Sequence, residues 1–137
     1  MVRNALLLVS RLLFAVLFVP SGFQALANIA GIAGTINYFA GLGLPLPALA
    51  AWGTGLFELI AGLLILVGFQ TRIVALLLAA FCIAAGYIGH YGQGGGDATL
   101  AFLHQQMLMK DIAIAGGFLA LAMAGAGAWS ADGRGAA

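Results

Sequence analysis

"FELIAGLLILVGFQTRIVALLLAAF", residues 57–81, holds two apolar runs parted by the short stretch "GFQTR". Each run continues outward into further apolar sequence, to about 20 residues. That is the length a helix needs to cross the hydrocarbon core of a bilayer. The short link between them reads as a tight turn. Two membrane-crossing helices joined by a turn are therefore the starting point, and the rest of the chain is read against them.

Composition agrees. The chain has 137 residues, of which 64% are hydrophobic and 7% charged, and its mean hydropathy is +1.11. A soluble domain of this size carries about a quarter charged residues, so lipid is the main solvent expected here. A net charge of +1 without a basic run gives no footing for nucleic acid. The single cysteine, Cys82, excludes a disulfide framework, a CxxC redox pair or a thiolate metal site within one chain.

Two more spans complete the pattern. The four expected spans cover roughly 5–27, 48–69, 72–91 and 102–128, within one four-helix transmembrane domain over 1–137. The first could pass for a signal peptide, with "ALA" at 25–27 as a cleavage site. Arg11 interrupts its apolar run, and the run is longer than such regions usually are, so it is read as a span. Pro20 inside it removes one backbone hydrogen bond and is expected to kink the helix. The uncharged stretch 28–47 is long for a bare loop and predicts a short interfacial or re-entrant segment. Pro45 and Pro47 are expected to hold the backbone extended before the second span. "GQGGGDATL" predicts a flexible third connection, and "SADGRGAA" a frayed tail.

Charge orients the bundle. Arg3, Arg72 and Arg134 fall on one side of a four-span chain, and the opposite connections carry only Asp97. Basic flanks favour the cytoplasm, so both termini are expected there, in a bacterial inner membrane. Tyr38, Trp52, Tyr87 and Tyr91 then gather toward the outer interface and Trp129 marks the inner one.

The intramembrane ionisable residues are the candidates for function. A charge at the bilayer centre costs roughly 2.5–3.5 kcal/mol on insertion scales, so such residues tend to face inward and pair. Arg11, Glu58, Lys110 and Asp111 form the expected buried charge network. Depth counted from the span ends lets Glu58 meet Arg11, Lys110 or both. Ala51, Gly55, Glu58 and Gly62 share one helix face. Lys110 shares another with Ala113, Gly117, Ala120 and Ala124, which predicts that Lys110 points inward toward Glu58. Asp111 is turned about 100° away, on a line with His104 and Leu108. A neighbouring helix is needed to bridge His104 and Asp111, and His90 and Tyr91 are placed to do so. Helix-fixing ion pairs alone would also account for Arg11, Glu58 and Lys110, and interfacial anchoring for His90 and His104. No HxxxH or ExxH spacing supports a metal site, and no metal is expected.

The order of these segments resembles the DoxX family of small bacterial membrane proteins. The likeness runs through "SRLLFAVLFVPSGFQAL", "GLGLPLP", "FELIAGLLILVGFQTR" and "MKDIAIAGG" to "WSAD". It implies a four-helix membrane protein, with some members linked to thiosulfate:quinone oxidoreductase and others to membrane assemblies that handle oxidative stress. Arg11, Glu58, Arg72 and Lys110 match the family's pattern. Ala25 stands where members often carry lysine, and Asp111 where they often carry asparagine. The expectation is a redox-associated, quinone-facing subunit, with His90, Tyr91 and His104 as quinone or polar-rim contacts and no cofactor held by the chain alone. The redox centre would come from a partner, because no complete catalytic or redox motif is present. The other readings are a structural accessory subunit of a larger membrane complex and, less supported by repeats, a small transporter. Lipids and other membrane subunits are the expected partners.

Overall fold

Apolar runs of this length can satisfy their backbone polar groups in lipid only by coiling into helices. The computed structural model, which describes residues 1–135, is accordingly helical: α1 (Val2–Ala27), α2 (Thr35–Gly41), α3 (Pro47–Val67), α4 (Thr71–His90), α5 (Ala98–Ala124) and α6 (Ala131–Gly135). No strand occurs among the described residues. Helices α1, α3, α4 and α5 are long and apolar enough to cross a membrane, and they are the four expected spans with ends displaced by a few residues. Large apolar side chains such as Leu13, Val16, Ile60, Leu76 and Met123 are exposed along them, as a lipid-facing surface requires. The chain forms two compact units, Met1–Gln70 with the segment from Ala126 onward, and Thr71–Gly125.

The first unit is built on α1 and α3. Arg11, Ala15, Phe18 and Gly22 make the buried stripe of α1, spaced four, three and four. On α3, Ala51, Gly55, Gly62 and Ile65 are buried. Small residues let the two backbones meet: a Cβ added at Gly22 would lie 2.4 Å from the Leu59 amide nitrogen and 2.8 Å from the Gly55 carbonyl oxygen. Helix α1 continues through Pro20. The connection to α3 contains the short helix α2, anchored by Thr35, whose hydroxyl donates to the Ala25 carbonyl at 2.8 Å.

Two expectations for this unit are corrected. Leu46 is not extended but left-handed, with φ of 50°. It is the N-cap residue of α3, with Pro47 at the helix start, where a missing N–H costs nothing. The chain turns sharply there, after Gly43 at φ of 79°, which extended residues would not allow. Nor is the tail frayed over its described residues, 130–135; positions 136 and 137 of that expectation lie outside them. The tail's backbone is tied in by Asp132 N–H to the Gly68 carbonyl at 2.9 Å and by Gln70 N–H to the Asp132 carboxylate at 2.7 Å. The Ala128 N–H donates to Asn4 Oδ1 at 3.1 Å, so the tail lies along the start of α1. Polar composition suggested solvent; these polar groups instead serve as backbone partners.

The second unit pairs α4 with α5 in antiparallel fashion. The buried stripe of α4 includes Thr71, Ala75, Leu78, Cys82, Gly86 and Gly89. That of α5 runs through Ala115, Phe118 and Ala122. Helix α5 starts at Ala98 because Asp97 caps it, its carboxylate accepting from Thr99 N–H at 2.9 Å and Leu100 N–H at 3.1 Å. Asp97→Ala should cost about 1 kcal/mol. Faster amide exchange confined to the first turn of α5 would show it.

Candidate functional site

The polar cluster of the second unit lies where α4 and α5 approach closely. Gly86 leaves the room: a Cβ there would stand 3.0 Å from Asp111 Cβ and 3.1 Å from its Oδ2. One turn further along α4, His90 Nε2 lies 3.8 Å from Asp111 Oδ2. The other nitrogen of the same ring, Nδ1, lies 2.9 Å from His104 Nδ1. The two imidazoles are tilted by 39° with centroids 5.2 Å apart. The His90 and Asp111 side chains are 20% and 29% exposed, so the group is neither sealed nor open.

This geometry fixes some of the protonation chemistry. Two ring nitrogens at 2.9 Å need a proton between them, because two lone pairs would repel. One histidine is therefore an Nδ1–H donor and the other its acceptor. His90 uses both nitrogens and stands between His104 and Asp111, as a residue on a neighbouring helix must to join positions two turns apart on α5. Tyr91 is exposed, with its ring 5.8 Å from that of Tyr87, one turn away on the same helix.

Lys110 does not share this cluster. It is exposed, and so are Ala113 and Ala120 on its face. The expectation that Lys110 points inward is corrected; the line His104, Leu108, Asp111, Ala115, Phe118, Ala122 is the inward one. Small residues occur on several faces of α5, so a stripe of them did not identify the packed face.

In the first unit, Ser21 Oγ donates to Glu58 Oε2 at 2.8 Å. The close contact at Gly22 puts them there, and Glu58 is half-buried. Arg11 is buried, 1% exposed. Its Nη1 donates to the Leu66 carbonyl at 2.7 Å and its Nη2 to the Trp129 carbonyl. Arg11, one of the partners that depth counting allowed Glu58, thus bonds to backbone carbonyls instead. Glu58 is level with Ser21, which is about 15 Å along α1 from Arg11. Depth counted from span ends assumed that α1 begins level with the end of α3. Instead α1 extends past it, and the tail lies beside the extension.

Ser21, Gly86, Asp97 and the Trp129 carbonyl were not among the sequence candidates. Asp97 had a readable signal, an aspartate just ahead of a helical run. Ser21 and Gly86 had none, because their roles come from what lies opposite. Among the described residues, no group of three or more His, Cys, Asp or Glu side chains could hold a metal ion.

Four spanning helices with ionisable groups between them define a multi-pass membrane protein. The chain belongs to the DoxX family, whose profile matches residues 6–91. It is 38% identical over 133 residues to the inner membrane protein YphA of Escherichia coli (strain K12), covering 96% of this chain and 91% of that one. It is also 38% identical over 128 residues to the inner membrane protein YqjF of the same organism, covering 91% and 88%. A Bacillus subtilis (strain 168) protein named "Putative oxidoreductase CatD" is 36% identical over 78 residues, 57% of this chain and 54% of its own length. No solved structure matches. His104 and Asp111 lie beyond the stretch that the family profile covers.

Proposed function

We propose that this chain is a membrane subunit of a redox assembly, with the His104–His90–Asp111 cluster facing the headgroup of a quinone. The observation that carries the reading is the cluster itself: imidazole N–H donors beside a carboxylate, partly exposed between α4 and α5. A quinone carbonyl needs a hydrogen-bond donor next to an apolar groove for its tail. Here a histidine would donate, and Asp111 would accept or return a proton through His90. Quinone supplies two-electron chemistry when bound. The chain itself offers one buried cysteine and two histidines, too few ligands for a redox centre of its own, so a partner protein would supply it. The similarity to a relative named as an oxidoreductase supports this context. In this reading both termini are cytoplasmic and the cluster opens toward the opposite face of a bacterial inner membrane.

A structural accessory role is the second reading. It is favoured by the exposed Lys110 face of α5, whose small residues suit a neighbouring helix.

The test is purification from native membranes in mild detergent, with extraction of bound quinone and identification of partners. The redox reading expects quinone and an oxidoreductase partner in the wild type, and at least about tenfold less quinone in His90→Phe. Partners without quinone would favour the accessory role. Neither quinone nor a partner would overturn both.

A further inference from the structure

We infer that His104, His90 and Asp111 form a proton relay between the membrane edge at the α4–α5 connection and the interior of the membrane. His104 lies in the second turn of α5, close to that connection. Asp111 stands at the centre of the 27-residue helix, about 10 Å deeper along its axis. A carboxylate at that depth is remote from water along its own helix. The ring of His90, reaching over from α4, closes the distance in two contacts.

The transfers balance without any further reactant. A proton from the aqueous edge binds His104 at Nε2. His104 releases its Nδ1 proton to Nδ1 of His90 across 2.9 Å. His90 then releases its Nε2 proton to Asp111 Oδ2. The 3.8 Å separation there is longer than a hydrogen bond, and a small rotation of the carboxylate closes it. Each imidazole ends as the opposite neutral tautomer, and the reverse sequence resets both. Imidazole suits this role because it binds a proton at one nitrogen while releasing another.

The other titratable groups nearby do not interrupt the path. On α4, Tyr87 and Tyr91 are exposed, and Cys82 lies a turn beyond Gly86 along the buried stripe. On α5, Lys110 is turned to the exposed face. Asp97, in the connection, is committed to the cap of α5. The relay rests on the cluster alone and stands whether or not quinone is its client.

The test places the purified chain in lipid nanodiscs without quinone or partner. The Asp111 carboxyl stretch, identified in the infrared by its loss in Asp111→Asn, is followed after a rapid pH jump. The relay expects His90→Phe and His104→Gln each to slow Asp111 protonation at least about tenfold. Tyr91→Phe should leave the rate unchanged. If His90→Phe does not fold, His104→Gln alone decides. A wild-type rate in a folded histidine variant would overturn the relay, and so would an Asp111 band that does not respond to pH. Because no quinone is present, failure of the redox reading leaves this result standing, and the converse also holds.

Discussion

Replacing Gly22 by valine should break the first unit apart. The Cβ of any residue at 22 falls 2.4 Å from the Leu59 amide nitrogen, and 2.8 Å from both Leu59 Cα and the Gly55 carbonyl oxygen. All three are backbone atoms of a helix, so no side chain can rotate away. The helices must separate instead, and in lipid their association depends on close packing rather than on expulsion of water. Separation also takes Ser21 from Glu58. A cost of at least about 3 kcal/mol follows, the upper range for overpacking. Gly22→Ala should show much of the loss, since the clash begins at Cβ. Gly53, on the same α3 helix, has nothing within 4 Å of an added Cβ. Gly53→Ala should therefore be neutral or stabilising by up to about 1 kcal/mol. Thermal unfolding in detergent compares the three variants. A Gly22→Val protein that melts with the wild type would mean that α1 and α3 do not meet as described.

The contrast between those glycines shows what could be read in advance. That α3 carries small residues at 51, 55 and 62 was legible, because spacing along one helix is a property of the sequence. So was the existence of all four spans, since length and hydropathy decide it in lipid. Which positions of α1 lie opposite them was not legible. Register between helices depends on how far one slides past the other, and apolar helices have little sequence signal for that. The same limit displaced Arg11 from Glu58 by three turns. On α5, the line through His104, Leu108 and Asp111 could be drawn from spacing alone. His90 and Tyr91 could both be named as its bridging partners, and the packing of α4 on α5 selects His90. The tail's bonding is not legible for a different reason: a polar composition does not distinguish residues bonded to water from residues bonded to backbone.

Removing the guanidinium of Arg11 should be nearly as costly as crowding Gly22, and for an electrostatic reason. The last carbonyls of a helix lack partners within it and carry its negative end. Arg11 donates to one of them, at Leu66, and to the Trp129 carbonyl of the tail. Gly68, the left-handed C-cap of α3 at φ of 73°, leaves the space, since a Cβ there would lie 2.9 Å from Arg11 Nη1 and 2.4 Å from Ser130 Cβ. Arg11→Met keeps the volume but leaves two carbonyls without the donor that a buried side chain brings to them, at about 1–3 kcal/mol each. The buried Nε of Arg11 has no hydrogen-bond partner among the described residues, and its removal offsets part of that. A net loss of about 3 kcal/mol is expected. The second unit supplies the comparison. Arg72 Nη1 donates to the Ala122 carbonyl at 2.9 Å and the Met123 carbonyl at 2.6 Å, at the end of α5, but Arg72 is exposed. Water can replace it, so Arg72→Met should cost only about 1 kcal/mol. Arg11→Met should also loosen the tail and open the backbone near Trp129 to protease, which Arg72→Met should not. Lysine at position 11 should restore little, because one ammonium lacks the fork that spans two carbonyls. Equal losses for the two methionine variants, with the tail still protected, would show that burial of Arg11 does not set its contribution.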